Sequence, residues 1–116
     1  MDKLYFGDLF VGEILHLGND FPWFHGKFLP HMDSADGTSV HITKYITFSI
    51  RQSNFYMEQT ESDPLQDIEN ELLKEEPAFN DLINSGQWRI INDKAEITKI
   101  LIPVFHSDGG IGWRLA

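Results

Sequence analysis

Cysteine is absent from the 116 residues. Its absence excludes disulfides, zinc–thiolate and iron–sulfur sites and thiol catalysis together. It also points to the cytoplasm, since small secreted domains commonly rely on disulfides. Long apolar runs are missing as well. The longest, Ile100 to Phe105, has the length of a strand and falls far short of the ~18 residues of a membrane span. Met1-Asp2-Lys3-Leu4-Tyr5 shows no basic stretch leading into an apolar one, so no secretory signal is expected. Arginine is scarce, at three residues, and there is no basic run. Neither nucleic acid nor an anionic membrane is an expected partner.

The length suits a single domain spanning 1–116. Nine Phe, three Trp and three Tyr supply enough apolar area for one core. The net charge is −9, and it is unevenly placed. Glu58 to Asp81 holds nine acids and one base, Lys74, and so carries −8 by itself. A negative face of that kind repels nucleic acid and attracts basic partners.

The apolar pattern predicts an α+β fold. Residues 3–17 read as one strand, with Tyr5, Leu9, Val11, Leu15 and Leu17 on one face and Phe6, Phe10 and Ile14 on the other. Gly18-Asn19-Asp20 turns the chain into a second strand over 21–29. A polar loop follows over 30–39. Residues 40–57 fit both periods; the helical reading is favoured, running on towards Glu61, because no turn residue stops the segment near Arg51. Asp63 then offers an N-cap, Pro64 a first helical position and Gln66 a variant capping box. Leu65, Ile68, Leu72 and Leu73 carry the apolar stripe of that helix. Pro77 breaks or restarts it, Phe79, Leu82 and Ile83 add a further apolar face, and Gly86 ends it. Strands are expected over 87–91, 95–106 and 111–115, with Pro103 implying an edge or a bulge and Ser107-Asp108-Gly109-Gly110 a turn. The expected architecture is an antiparallel sheet of about five strands in the order ββ-helices-βββ, with helices packed on one face.

The candidate chemistry is sparse. His16, His25, His31, His41 and His106 include no helical His-x-x-x-His or His-Glu-x-x-His pair, so no metal or other cofactor is expected. Asp33-Ser-Ala-Asp36-Gly37 has the wrong acid spacing for a calcium loop, and Lys44 stands where a bidentate Glu is needed. Gly109-Gly110-Ile111-Gly112 leads into a strand, not a helix, and reads as a hairpin turn rather than a phosphate cradle. The acids of 58–81 lie on the polar side of amphipathic helices, which marks them as a solvated face rather than as catalytic groups. No catalytic residue is assigned.

Asp20-Phe21-Pro22-Trp23-Phe24-His25-Gly26-Lys27-Phe28 is the most distinctive stretch, and Gly112-Trp113-Arg114 closes the chain with a second indole beside an arginine. These motifs, about a fifth of the chain, resemble a group of small uncharacterised bacterial proteins. Some of that group look like accessory or immunity-type partners encoded beside other proteins. The resemblance implies a bacterial cytoplasmic binding domain and carries over no catalytic residue.

Three functions are therefore weighed. The first is a non-enzymatic protein-binding or inhibitor-like module. It would present Glu58, Glu61, Asp67, Glu69, Glu71, Glu75, Glu76 and Asp81 to a basic protein. The second is a small-ligand binder or enzyme using Asp20, Trp23, His25 and His31 of the 18–37 region. The third is a self-assembling module in which an edge strand over Ile100 to Phe105 pairs between subunits to give a homo-oligomer.

Overall fold

The computed structural model describes the backbone of residues 1–20, 22–31, 37–57 and 64–116, with the side chains of 20, 56–57 and 64–69 left out of that description. The fold is α+β. Strands β1 (Asp2–Phe6), β2 (Leu9–Asp20) and β3 (Trp23–Pro30) come first. Helices α1 (Gly37–Met57) and α2 (Pro64–Glu75) follow, then a 3-10 turn (Glu76–Phe79) and the short α3 (Asn80–Ile83). Strands β4 (Trp88–Ile91), β5 (Ile97–Lys99), β6 (Val104–Phe105) and β7 (Gly110–Trp113) complete the chain. No helix among the described residues is long and apolar enough to cross a membrane.

The antiparallel sheet has seven strands in the order β5-β4-β1-β2-β3-β7-β6. This corrects the expected five and their ββ-helices-βββ order. The stretch 3–17 is two strands, because Gly7 takes a φ of +59° and turns the chain back on itself before Leu9. A register shift between Leu4 and Tyr5 then moves Phe10 to the face of Tyr5. The expected single strand over 95–106 is interrupted and counts as β5 and β6. The ambiguous 40–57 is helical, and its helix starts three residues earlier, at Gly37. The expected cap at Asp63 lies outside the described residues; α2 begins at Pro64.

Segment 97–105 has a role that its strand labels hide. Its first part pairs with β4. Ile100 then bridges Leu115, and the Leu101 N–H donates to the Arg114 carbonyl at 2.9 Å. Its last part pairs with β7. One extended segment thus joins the two ends of the strand order, and the sheet curls into a cup.

Side chains pointing into the cup make the core. Leu4, Ile14, Phe28, Trp88, Ile90, Phe105, Ile111 and Trp113 are buried together with Ile42, Tyr45 and Phe48 of α1. Gly12 lies on this inner face because nothing larger fits. A Cβ there would sit 2.5 Å from the Leu29 carbonyl oxygen and 2.5 Å from the Phe28 ring.

α1 also satisfies the backbone of β6 that no strand pairs. Tyr45, Ser49 and Ser53 recur every four residues and share a helix face. The Tyr45 hydroxyl donates to the Pro103 carbonyl at 2.8 Å. The Phe105 N–H donates to Ser49 Oγ at 2.8 Å, and the Ser53 hydroxyl donates to the Phe105 carbonyl at 2.9 Å. Burial, reinforced by the charge of Glu76, pushes the Tyr45 phenol up to about 12, while a hydrogen bond with Ser49 opposes the rise. An unfolded tyrosine ionises near ~10. The contribution of this protonated phenol is therefore complete below pH ~10 and lost as pH climbs from there towards 12, on the order of 2–3 kcal/mol in all. Urea titrations between pH 9 and 12 should show that fall, and Tyr45→Phe should flatten it. An equal slope in both proteins would contradict this account.

Candidate functional site

The described acids Glu71, Glu75 and Asp81 lie in a layer against α1, which supplies their cations. No acid occurs in α1, which carries His41, Lys44 and Arg51. Arg51 Nη1 donates to both carboxylate oxygens of Glu75, at 2.8 and 3.0 Å, while its Nη2 lies 3.9 Å from Glu71. His41 Nε2 lies 3.0 Å from Asp81 Oδ1, and the imidazole stacks on Phe79 with centroids 5.4 Å apart. That hydrogen bond holds the Asp81 carboxyl below its ordinary range. Such exposed pairs are screened by water and add little to stability. They leave much of the layer in water: the Glu71 and Asp81 side chains are 71% and 67% exposed.

Of the other residues expected in this face, Glu58 and Glu61 lie outside the described residues. Asp67 and Glu69 lie on α2 with their side chains outside the description. Glu76 opens the 3-10 turn and is partly buried. Between α1 and the layer runs an open cleft of about 380 Å³, floored by Phe48, Ala78 and Phe79 and walled by Lys44, Arg51 and Glu75. On α2, Leu73 is 56% exposed within a segment otherwise rich in carboxylates.

The second group of expected residues does not converge. Trp23, His25 and His31 all point outward on or just after β3, on alternate positions. His25 and His31 are six residues apart along an extended chain, roughly 20 Å. Trp23 stacks under the Arg114 guanidinium at 5.6 Å, and His25 stands opposite Gly112. His31 Nε2 lies 2.9 Å from Glu13. Asp20 pairs through its backbone with Trp23, its side chain lying outside the description. Among the described residues, no three His, Asp or Glu side chains converge as metal ligands do. Gly109 and Gly110 lie at the tight turn between β6 and β7, with no helix after them.

The third expected surface, Ile100 to Phe105, is largely occupied. β4, the chain after β7 and the α1 side chains take the backbone groups that a neighbouring subunit would need.

The sequence reading missed the outer wall of the cup. Pairing registers place Lys99, Arg89, Tyr5 and Phe10 in one row across four strands, and His31, just past the end of β3, extends it. The Arg89 guanidinium lies 5.6 Å from the Tyr5 ring, the Tyr5 and Phe10 rings 5.4 Å apart, and Phe10 and His31 5.5 Å apart. Lys3, in the adjoining row, reaches over Phe10 at 6.0 Å. Only register creates this row, so no local motif announces it. Comparison with protein-family models, curated proteins and solved structures finds no match.

Proposed function

We propose that this chain is a non-enzymatic binding module that presents the acidic layer of α2, the 3-10 turn and α3 to a basic protein. The observation that carries the reading is Leu73, an exposed apolar side chain on a helix whose neighbouring carboxylates face water. Charge speeds encounter and rejects wrong partners, whereas affinity needs a desolvated apolar anchor. The layer offers both. Arg51 and His41 set the positions of Glu75 and Asp81, so part of the face is ordered before any partner arrives. An inhibitor of a basic, nucleic-acid-cleaving enzyme, of the immunity type, is the concrete form of this reading, because such enzymes present positive clefts.

The test is affinity capture from a bacterial lysate on immobilised wild type and on a Glu71→Gln/Leu73→Ala/Glu76→Gln variant, followed by kinetics with the captured protein. The expected partner has a basic surface, associates roughly tenfold or more slowly as salt rises from ~0.02 M to ~0.3 M, and is lost by the variant. A partner held equally by both proteins, with salt-independent kinetics, would refute the reading.

A further inference from the structure

The outer wall of the cup has the opposite charge to the helical layer. Outward positions on the strands hold Lys3, Lys27, Arg89 and Lys99, against Glu13 on β2 and Asp8 of the β1–β2 turn, which lies 3.5 Å from Arg89. In a chain of net −9 this is a strong segregation. The wall is also apolar between its charges, with Leu29 and Ile97 about half exposed and the Tyr5 and Phe10 rings partly open to water. Its cations are positioned as well as present, since Arg89 and Lys3 are drawn over ring faces. Exposed apolar area rimmed by fixed charge is the composition of a docking surface.

We propose that this wall docks the acidic helical layer of a second copy of the chain, in a head-to-tail association. The complementary surface is part of the molecule itself. Glu71, Glu75, Glu76 and Asp81 lie on the helical layer, which packs on the inner side of the sheet, away from the wall, and the sequence from 58 to 81 sums to −8. Because the two surfaces differ, each copy offers one of each, and the contact is heterologous rather than two-fold symmetric. A single-stranded nucleic acid is the weaker occupant. Bases bind such sheets by stacking on bare rings, whereas here cations already lie over the Tyr5 and Phe10 rings. The proposal needs an exposed acidic layer but no foreign basic protein, so it stands or falls separately from the function proposed above.

Sedimentation equilibrium tests it, with two variants checked for folding by circular dichroism. One neutralises the wall and inverts it (Lys3→Glu/Arg89→Glu, with Lys3→Glu/Lys99→Glu in reserve should the first not fold). The other inverts the layer (Glu71→Lys/Glu76→Lys). Wild type at ~0.02 M salt should show a mass rising with concentration above 13.4 kDa, with association at least about tenfold weaker at ~0.3 M. Each variant alone should remain monomeric. Mixed, they should form a 1:1 dimer and stop there, since one retains the layer and the other the wall. Wild type that stays monomeric at low salt would overturn the proposal. So would self-association by either variant alone, a mixture that does not pair, or a wall that instead binds a short oligothymidine strand and loses it on Lys3→Glu/Arg89→Glu.

Discussion

Trp88→Ala is expected to destabilise the protein by about 3–5 kcal/mol, on the order of 10–20 °C in melting temperature for a domain of this size. Trp88 is only 1% exposed and joins two parts of the fold. Its ring lies 5.0 Å from Phe6 across the β1–β4 pair, and its indole N–H donates to the Leu82 carbonyl at 3.0 Å, tying the end of α3 to the sheet. Alanine removes the ring, leaves a cavity and takes away one of that carbonyl's two donors, the Ser85 hydroxyl at 3.1 Å remaining. Trp88→Phe separates the terms: it keeps most of the packing and loses the hydrogen bond, so it should cost about 1–3 kcal/mol. Urea denaturation followed by circular dichroism measures both. An alanine variant within about 1 kcal/mol of wild type would show that Trp88 does not anchor the helical layer.

Ser49→Ala should cost about 1–3 kcal/mol, far above the typical surface substitution, because it strands the buried Phe105 N–H. Ser53→Ala does the same to the Phe105 carbonyl. Both serines address one residue, so a double-mutant cycle should show coupling between them. The consequence reaches beyond stability. With the α1 hydroxyls gone, β6 has unsatisfied backbone groups of the kind that pair with other chains, and the double variant should aggregate on mild heating where wild type does not. Variants within about 0.5 kcal/mol of wild type, with unchanged aggregation, would mean that the serines are incidental to the edge.

Much of the fold was legible along the chain because it depends on local patterns. Pro64 opens α2, Leu72 and Leu82 face the core, and turns fall at 92–94 and 107–110 as their residues suggest. The helix of 40–57 was favoured over a strand for a local reason too. Where the reading failed, strand pairing and register decided. Residues 3–17 alternate well enough for one strand. Only the pairing of Phe6 with Leu9 around Gly7, and the register shift beside Leu4, divide them and bring Phe10 to the face of Tyr5. That change of face creates the aromatic row.

Composition and spacing alone established the missing thiol chemistry, the aromatic core and the concentration of −8 between Glu58 and Asp81, since each is a count or a local period. Tertiary structure decided which charges meet. It set Arg51 against Glu75 and His41 against Asp81, it gathered Lys3, Arg89 and Lys99 on the wall facing away from the helices, and it buried the backbone of Phe105 under Ser49 and Ser53. Those partners lie 24 to 56 residues apart for the side-chain contacts. Over such separations the hydrogen-bond register of the sheet and the packing of α1 against it determine neighbourhood, and neither is written in any single stretch of sequence.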